Sequence, residues 1–121
     1  MRVLVVDDDE DNLEVLALTL VTFHGWDVQA VSSGALALEV CRSAELDAVL
    51  LDMEMPAMDG LGVLSALRSD PRTAGLPVIF VTACADPGLS ARLQSLGALA
   101  VLAKPFDPQR IGTHLAGLLG R

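Results

Sequence analysis

The sequence predicts an α/β domain, a five-stranded parallel sheet, doubly wound, with helices on both faces. Three observations carry this. Short apolar runs alternate with helix-period segments along the chain. The runs are greasy throughout, as strands covered on both faces must be. The connections are short and leave no room for a second domain in 121 residues.

Each element has its own signal. Val3–Asp7 is an apolar run that ends in acid. Leu13, Leu16, Ala17 and Leu20 then recur at the spacing of one helix face. Trp26–Val31 predicts a second strand, more polar than the first. Ser32 or Ser33 can cap a helix reaching about Arg42. Ala48–Asp52 is a third strand, again ending in acid. Asp59-Gly60 opens a helix to about Arg68, and Pro77–Thr82 is a fourth strand that ends in a hydroxyl. Asp86-Pro87 and Asp107-Pro108 pair an N-cap acid with a proline at the first helical position, starting helices over 87–96 and 108–119. Leu99–Ala103 lies between them as the fifth strand, followed by Lys104-Pro105. Right-handed crossovers between parallel strands make this an open sheet, and residues 1–121 are expected to form one domain.

Composition narrows the function. Hydrophobic residues make up 52% and charged residues 20%, so the chain is globular rather than disordered. No apolar run approaches the roughly 20 residues of a membrane span, and no secretory signal opens the chain. A cytoplasmic protein is expected. Eight basic against sixteen acidic residues give a net charge of −8, which argues against a grip on nucleic acid. Cys41 and Cys84 are too far apart for a metal-ligand motif and read as reduced, buried thiols.

Ligands of open parallel sheets bind at the carboxyl ends of the strands. Four of the five strands deliver a polar group there: Asp7 and Asp8, Asp52, Thr82, and Lys104. Read singly, these have ordinary explanations. Asp7, Asp8 and Asp9 suit helix N-caps, Thr82 is a common strand residue, and Lys104 could be a surface charge. Their convergence is what calls for chemistry. Two carboxylates about 5 Å apart repel by roughly 3 kcal/mol at an effective dielectric of 20. A hard divalent cation relieves this, and Mg²⁺ suits one or two carboxylates. No His or Cys stands at these strand ends, which disfavours zinc or copper. Carboxylate, metal, ammonium and hydroxyl together suit phosphoryl transfer, with a carboxylate able to act as nucleophile.

Val5-Val6-Asp7-Asp8, the run Leu50–Gly60, Val81-Thr82-Ala83 and Lys104-Pro105-Phe106 together resemble the receiver domain of two-component response regulators. The resemblance spans essentially the whole chain. It implies strand order 2-1-3-4-5, with Asp52 as phosphoacceptor and Mg²⁺ held by Asp7, Asp8, Asp52 and the backbone carbonyl of Glu54. It further implies that Thr82 and Lys104 contact the phosphoryl group, and that the Lys104–Pro105 bond is cis. The expected partners are a histidine kinase or phosphotransfer protein as donor and a downstream protein or output domain, with homodimerisation open. The chain is expected to promote its own phosphorylation rather than turn over a separate substrate.

Two departures stand out. Val101 occupies the position where the family usually carries Tyr or Phe, so the usual coupling of threonine to an aromatic ring has no ring to act on. Glu54 and Cys84 occupy positions that tune phosphate lifetime in the family. Two rival readings are an aspartyl-phosphate phosphohydrolase, for which Asp52-x-Glu54 is a near miss of Asp-x-Asp, and a constitutive interaction module with an unused site. His24, His114, Trp26 and the methionines Met53, Met55 and Met58 are read as packing or surface residues.

Overall fold

A computed structural model describes residues 1–55, 58–83, 86–104 and 107–120. Five β–α units follow one another: β1 (Arg2–Val6), α1 (Glu10–His24), β2 (Asp27–Val31), α2 (Gly34–Ser43), β3 (Ala48–Asp52), α3 (Gly60–Ser69), β4 (Val78–Thr82), α4 (Pro87–Ser95), β5 (Ala100–Ala103) and α5 (Pro108–Leu118). All strand pairs are parallel, in the order β2-β1-β3-β4-β5. The predicted architecture and strand order are both found. Among the described residues, no helix is long and apolar enough to cross a membrane.

Side-chain alternation along the strands builds two cores. Leu4, Val6, Val49, Leu51, Val78 and Phe80 face α2, α3 and α4. Val3, Val5, Leu50, Ile79 and Val81 face α1 and α5. Strands β3 and β4 are buried along their whole length, whereas β2 is largely exposed. Its polar sequence suits an edge strand, where one side of the ladder meets water.

Local chemistry sets the helix starts. Asp9, Ser33, Asp59 and Asp86 each stand in extended backbone, and their side chains accept backbone N–H groups of the first turn of α1, α2, α3 and α4. Between the two serines offered by the sequence, Ser33 is the cap. Helix α1 ends on Gly25, whose φ of 66° lies in the left-handed region that glycine adopts without a Cβ penalty. Just before it, His24 packs over Gly112 of α5 and against the Trp26 ring, with centroids 5.0 Å apart. Both are packing residues, as expected.

Cys41 is buried in the core beneath α2, and that burial pushes its thiol from 9.0 up to about 11, against a weaker pull from Arg42. Cys84 lies outside the described residues. Because the folded chain keeps a thiol proton that the unfolded chain gives up, stability is fully present below pH 9.0 and falls as pH rises toward about 11. In a Cys84→Ser background, iodoacetamide is expected to alkylate Cys41 at pH 8 only as fast as the chain opens. Alkylation at the rate of a free thiol, read by mass, would contradict this burial.

Candidate functional site: an acidic pocket at the sheet's carboxyl edge

Strand register assembles the pocket. Val6 pairs with Leu51, so the next residues on those strands, Asp7 and Asp52, stand side by side. Asp52 pairs with Val81, and Thr82 follows. Thr82 pairs with Ala103, and the next residue is Lys104, whose N–H donates to the Thr82 carbonyl at 2.8 Å. Four separate strands thus bring Asp7, Asp8, Asp52, Thr82 and Lys104 to one edge, as the sequence predicts.

The acids are not equivalent. Asp52 is 4% exposed and Asp7 9%, while Asp8 faces solvent. Asp9 is the helix cap; it accepts from the N–H groups of Asp11 and Asn12. The N-cap reading therefore holds for Asp9 and leaves Asp7 and Asp8 to the pocket. Asp7 Oδ1 accepts the Asp9 N–H at 2.9 Å, which fixes its carboxylate in the turn. Carboxylate oxygens of Asp7, Asp8 and Asp52 lie within 4.8 Å of one another.

Lys104 answers part of this charge. Its Nζ lies 3.3 Å from Asp52 Oδ1 and 3.6 Å from Asp7 Oδ2. Burial works against the ammonium, but the Asp52 and Asp7 carboxylates outweigh it and hold Lys104 above its ordinary range. Asp52 is pushed the other way from most ion-paired acids. Burial raises its carboxyl above the usual range and Asp7 adds to the rise, against the Glu54 N–H, which donates to Oδ1 at 3.2 Å, and Lys104. One cation shared between two acids leaves excess negative charge in the pocket, with Asp8 adding more. All-oxygen donors at this separation, one of them open to water, could hold a hard divalent cation.

One contact was not legible in the sequence. Glu54, considered there for its backbone carbonyl and as a tuning position, places side-chain Oε1 2.9 Å from Thr82 Oγ, which donates to it. Thr82 is fully buried and Glu54 is exposed. Met55 is buried, and Met53 and Met58 pack against the same core, in keeping with a loop-packing role. Val101 is half-buried against that core too. Pro56, Ala57, Cys84, Pro105 and Phe106, and with them the expected cis bond, lie outside the described residues.

The fold and pocket agree with what known proteins show. The response regulator receiver domain family matches residues 3–116, and the chain belongs to that family. The DNA-binding response regulator MtrA of Mycolicibacterium paratuberculosis is 36% identical over 121 residues, covering 99% of this chain and 52% of its own. Among solved structures, the chemotaxis response regulator CheY4 of Vibrio cholerae superposes with a TM-score of 0.89 at 27% identity, over 97% of each chain. The receiver domain of sensor histidine kinase PA1611 from Pseudomonas aeruginosa, solved with a magnesium ion coordinated in its active site cleft, gives 0.86 at 28% identity, over 99% of this chain and 98% of that one. The chain spans between 26% and 52% of the length of the curated relatives it matches. Receiver domains of response regulators are in general not turnover enzymes.

Proposed function

We propose that residues 1–121 act as one receiver domain in which Asp52 accepts a phosphoryl group. The donor would be the phosphohistidine of a histidine kinase or phosphotransfer protein in the cytoplasm. One observation carries this reading: a buried carboxylate, Asp52, stands among Asp7, Asp8 and Lys104 where four strands end. In the transfer, a carboxylate oxygen of Asp52 bonds to phosphorus as the phosphorus–nitrogen bond breaks, and the electron pair returns to the donor imidazole. Lys104 would meet the arriving negative charge, and the Thr82 hydroxyl would donate to a phosphoryl oxygen. Asp7, Asp8 and Asp52, with the Glu54 carbonyl, would hold Mg²⁺, which when bound supplies positive charge that offsets the crowded acids and the phosphoryl oxygens. The phosphorylated form would bias the face built by α4, β5 and α5 toward a downstream protein, an output domain or a second copy of the chain.

The test is incubation with acetyl phosphate and Mg²⁺, followed by intact mass. One added phosphoryl group is expected; none on the wild-type chain refutes the reading. Lys104→Ala and Thr82→Ala should still label in part but fail to change conformation on labelling. Mg²⁺ alone should raise the melting temperature, since a ligand at 100 times its Kd adds about 2.7 kcal/mol to the folded state. Asp8→Asn should abolish most of that gain, and an equal gain in the variant would move the metal elsewhere.

A further inference from the structure

The contact between Glu54 and Thr82 joins the loop after β3 to the end of β4. Its chemistry makes it more than a brace. A threonine hydroxyl carries one proton and so donates one hydrogen bond at a time. Here that proton goes to Glu54 Oε1 at 2.9 Å, a charge-assisted bond. A phosphoryl oxygen on Asp52 would need the same proton. Glu54 is held where it can compete, because its own N–H donates to Asp52 Oδ1 at 3.2 Å. One residue therefore touches the acceptor through its backbone and the threonine through its carboxylate. The exposed carboxylate also adds negative charge close to Asp52.

We propose that Glu54 is a latch on the switch: its carboxylate holds the Thr82 hydroxyl in the unphosphorylated state and must release it before Thr82 can engage a phosphoryl oxygen. This rests on the phosphoacceptor reading of Asp52. Glu54 acts through Thr82 and is a positioning residue. It sets the threshold of the switch, favouring the resting state until a phosphoryl group outcompetes it.

Beryllofluoride, which fills the place of a phosphoryl group on a carboxylate, is the probe, titrated in the presence of Mg²⁺. Glu54→Ala is expected to bind it roughly three- to ten-fold more tightly than wild type, the range of one ordinary intramolecular hydrogen bond, since water screens the exposed Glu54 charge. Glu54→Gln keeps an acceptor without the charge and should fall between the two. In a Thr82→Val background, which has no hydroxyl to compete for, Glu54→Ala should change the affinity much less. Without any ligand, the Thr82 methyl resonance of Glu54→Ala should move toward its position in beryllofluoride-bound wild type. Equal or weaker binding by Glu54→Ala overturns the latch, as does a gain that persists undiminished in the Thr82→Val background. The underlying reading fails separately: wild type would then bind no beryllofluoride, or Asp52→Asn would bind it as well.

Discussion

The Asp52→Asn protein is expected to take up no phosphoryl group from acetyl phosphate and, in metal-free buffer at pH 7, to melt higher than its parent. The two effects have one cause. Burial, and then the neighbouring Asp7 charge, raise the Asp52 carboxyl above its ordinary 3.8 despite the Glu54 N–H and Lys104. A carboxyl that binds its proton more readily when folded contributes stability that is present below its unfolded pKa. That contribution is lost as pH rises through the folded value. At pH 7 the ionised group is therefore a net cost. Asparagine removes the charge and keeps an oxygen that can accept the Glu54 N–H. A gain of about 2–6 °C is expected, the range of a 1 kcal/mol change in a domain of this size. The gap should close as pH falls into the carboxylate range, where the parent is itself protonated. Lys104→Met should do the opposite and melt lower, because it strips a cation from both Asp52 and Asp7. Labelling that survives in Asp52→Asn would place the acceptor elsewhere. A lower melting temperature at pH 7 would show that Lys104 more than offsets the burial of this acid.

Most of the pocket was legible because it depends on where strands end. A strand that is apolar to its last residue and then turns polar marks the sheet edge, and Val6-Asp7, Leu51-Asp52, Val81-Thr82 and Ala103-Lys104 all do so. The helix caps were legible for a similar reason, since Asp59 and Asp86 act on N–H groups three residues away. The Asp7–Asp9 cluster was ambiguous, because three adjacent acids offer one helix start three candidates. Only the turn geometry assigns the cap to Asp9 and frees the other two. Contacts between residues distant in sequence were out of reach. That Lys104 bridges Asp7 as well as Asp52, 97 and 52 positions away, depends on strand order and side-chain rotamer together. The Glu54–Thr82 bond spans 28 positions and needs the loop's course as well. His24 over Gly112 depends on how α1 and α5 meet, which no local pattern encodes.

A glycine that supports the pocket from beneath should be nearly irreplaceable. Gly60 is the first residue of α3, and its N–H donates to the Met53 carbonyl at 3.0 Å. A Cβ there would lie 2.6 Å from Phe80 Cε1, 2.8 Å from the Asp52 carbonyl oxygen and 2.9 Å from Met53 Cα. None of the three can yield easily. Phe80 is fully buried in a close-packed core, and the other two are backbone atoms of the segment that carries Asp52. Gly60→Ala is expected to cost about 2–4 kcal/mol, more than helix propensity could return. It should also slow labelling of Asp52 at temperatures where the chain is still folded, because relief of the clash moves the Asp52 carbonyl. Gly117→Ala is the control. That residue is exposed on α5 with nothing within 4 Å of a Cβ, and alanine there should add roughly 0.5–1 kcal/mol. Denaturant titrations of the two proteins decide the matter. If Gly60→Ala matched Gly117→Ala in stability, α3 would not press on the pocket floor as closely as these distances require.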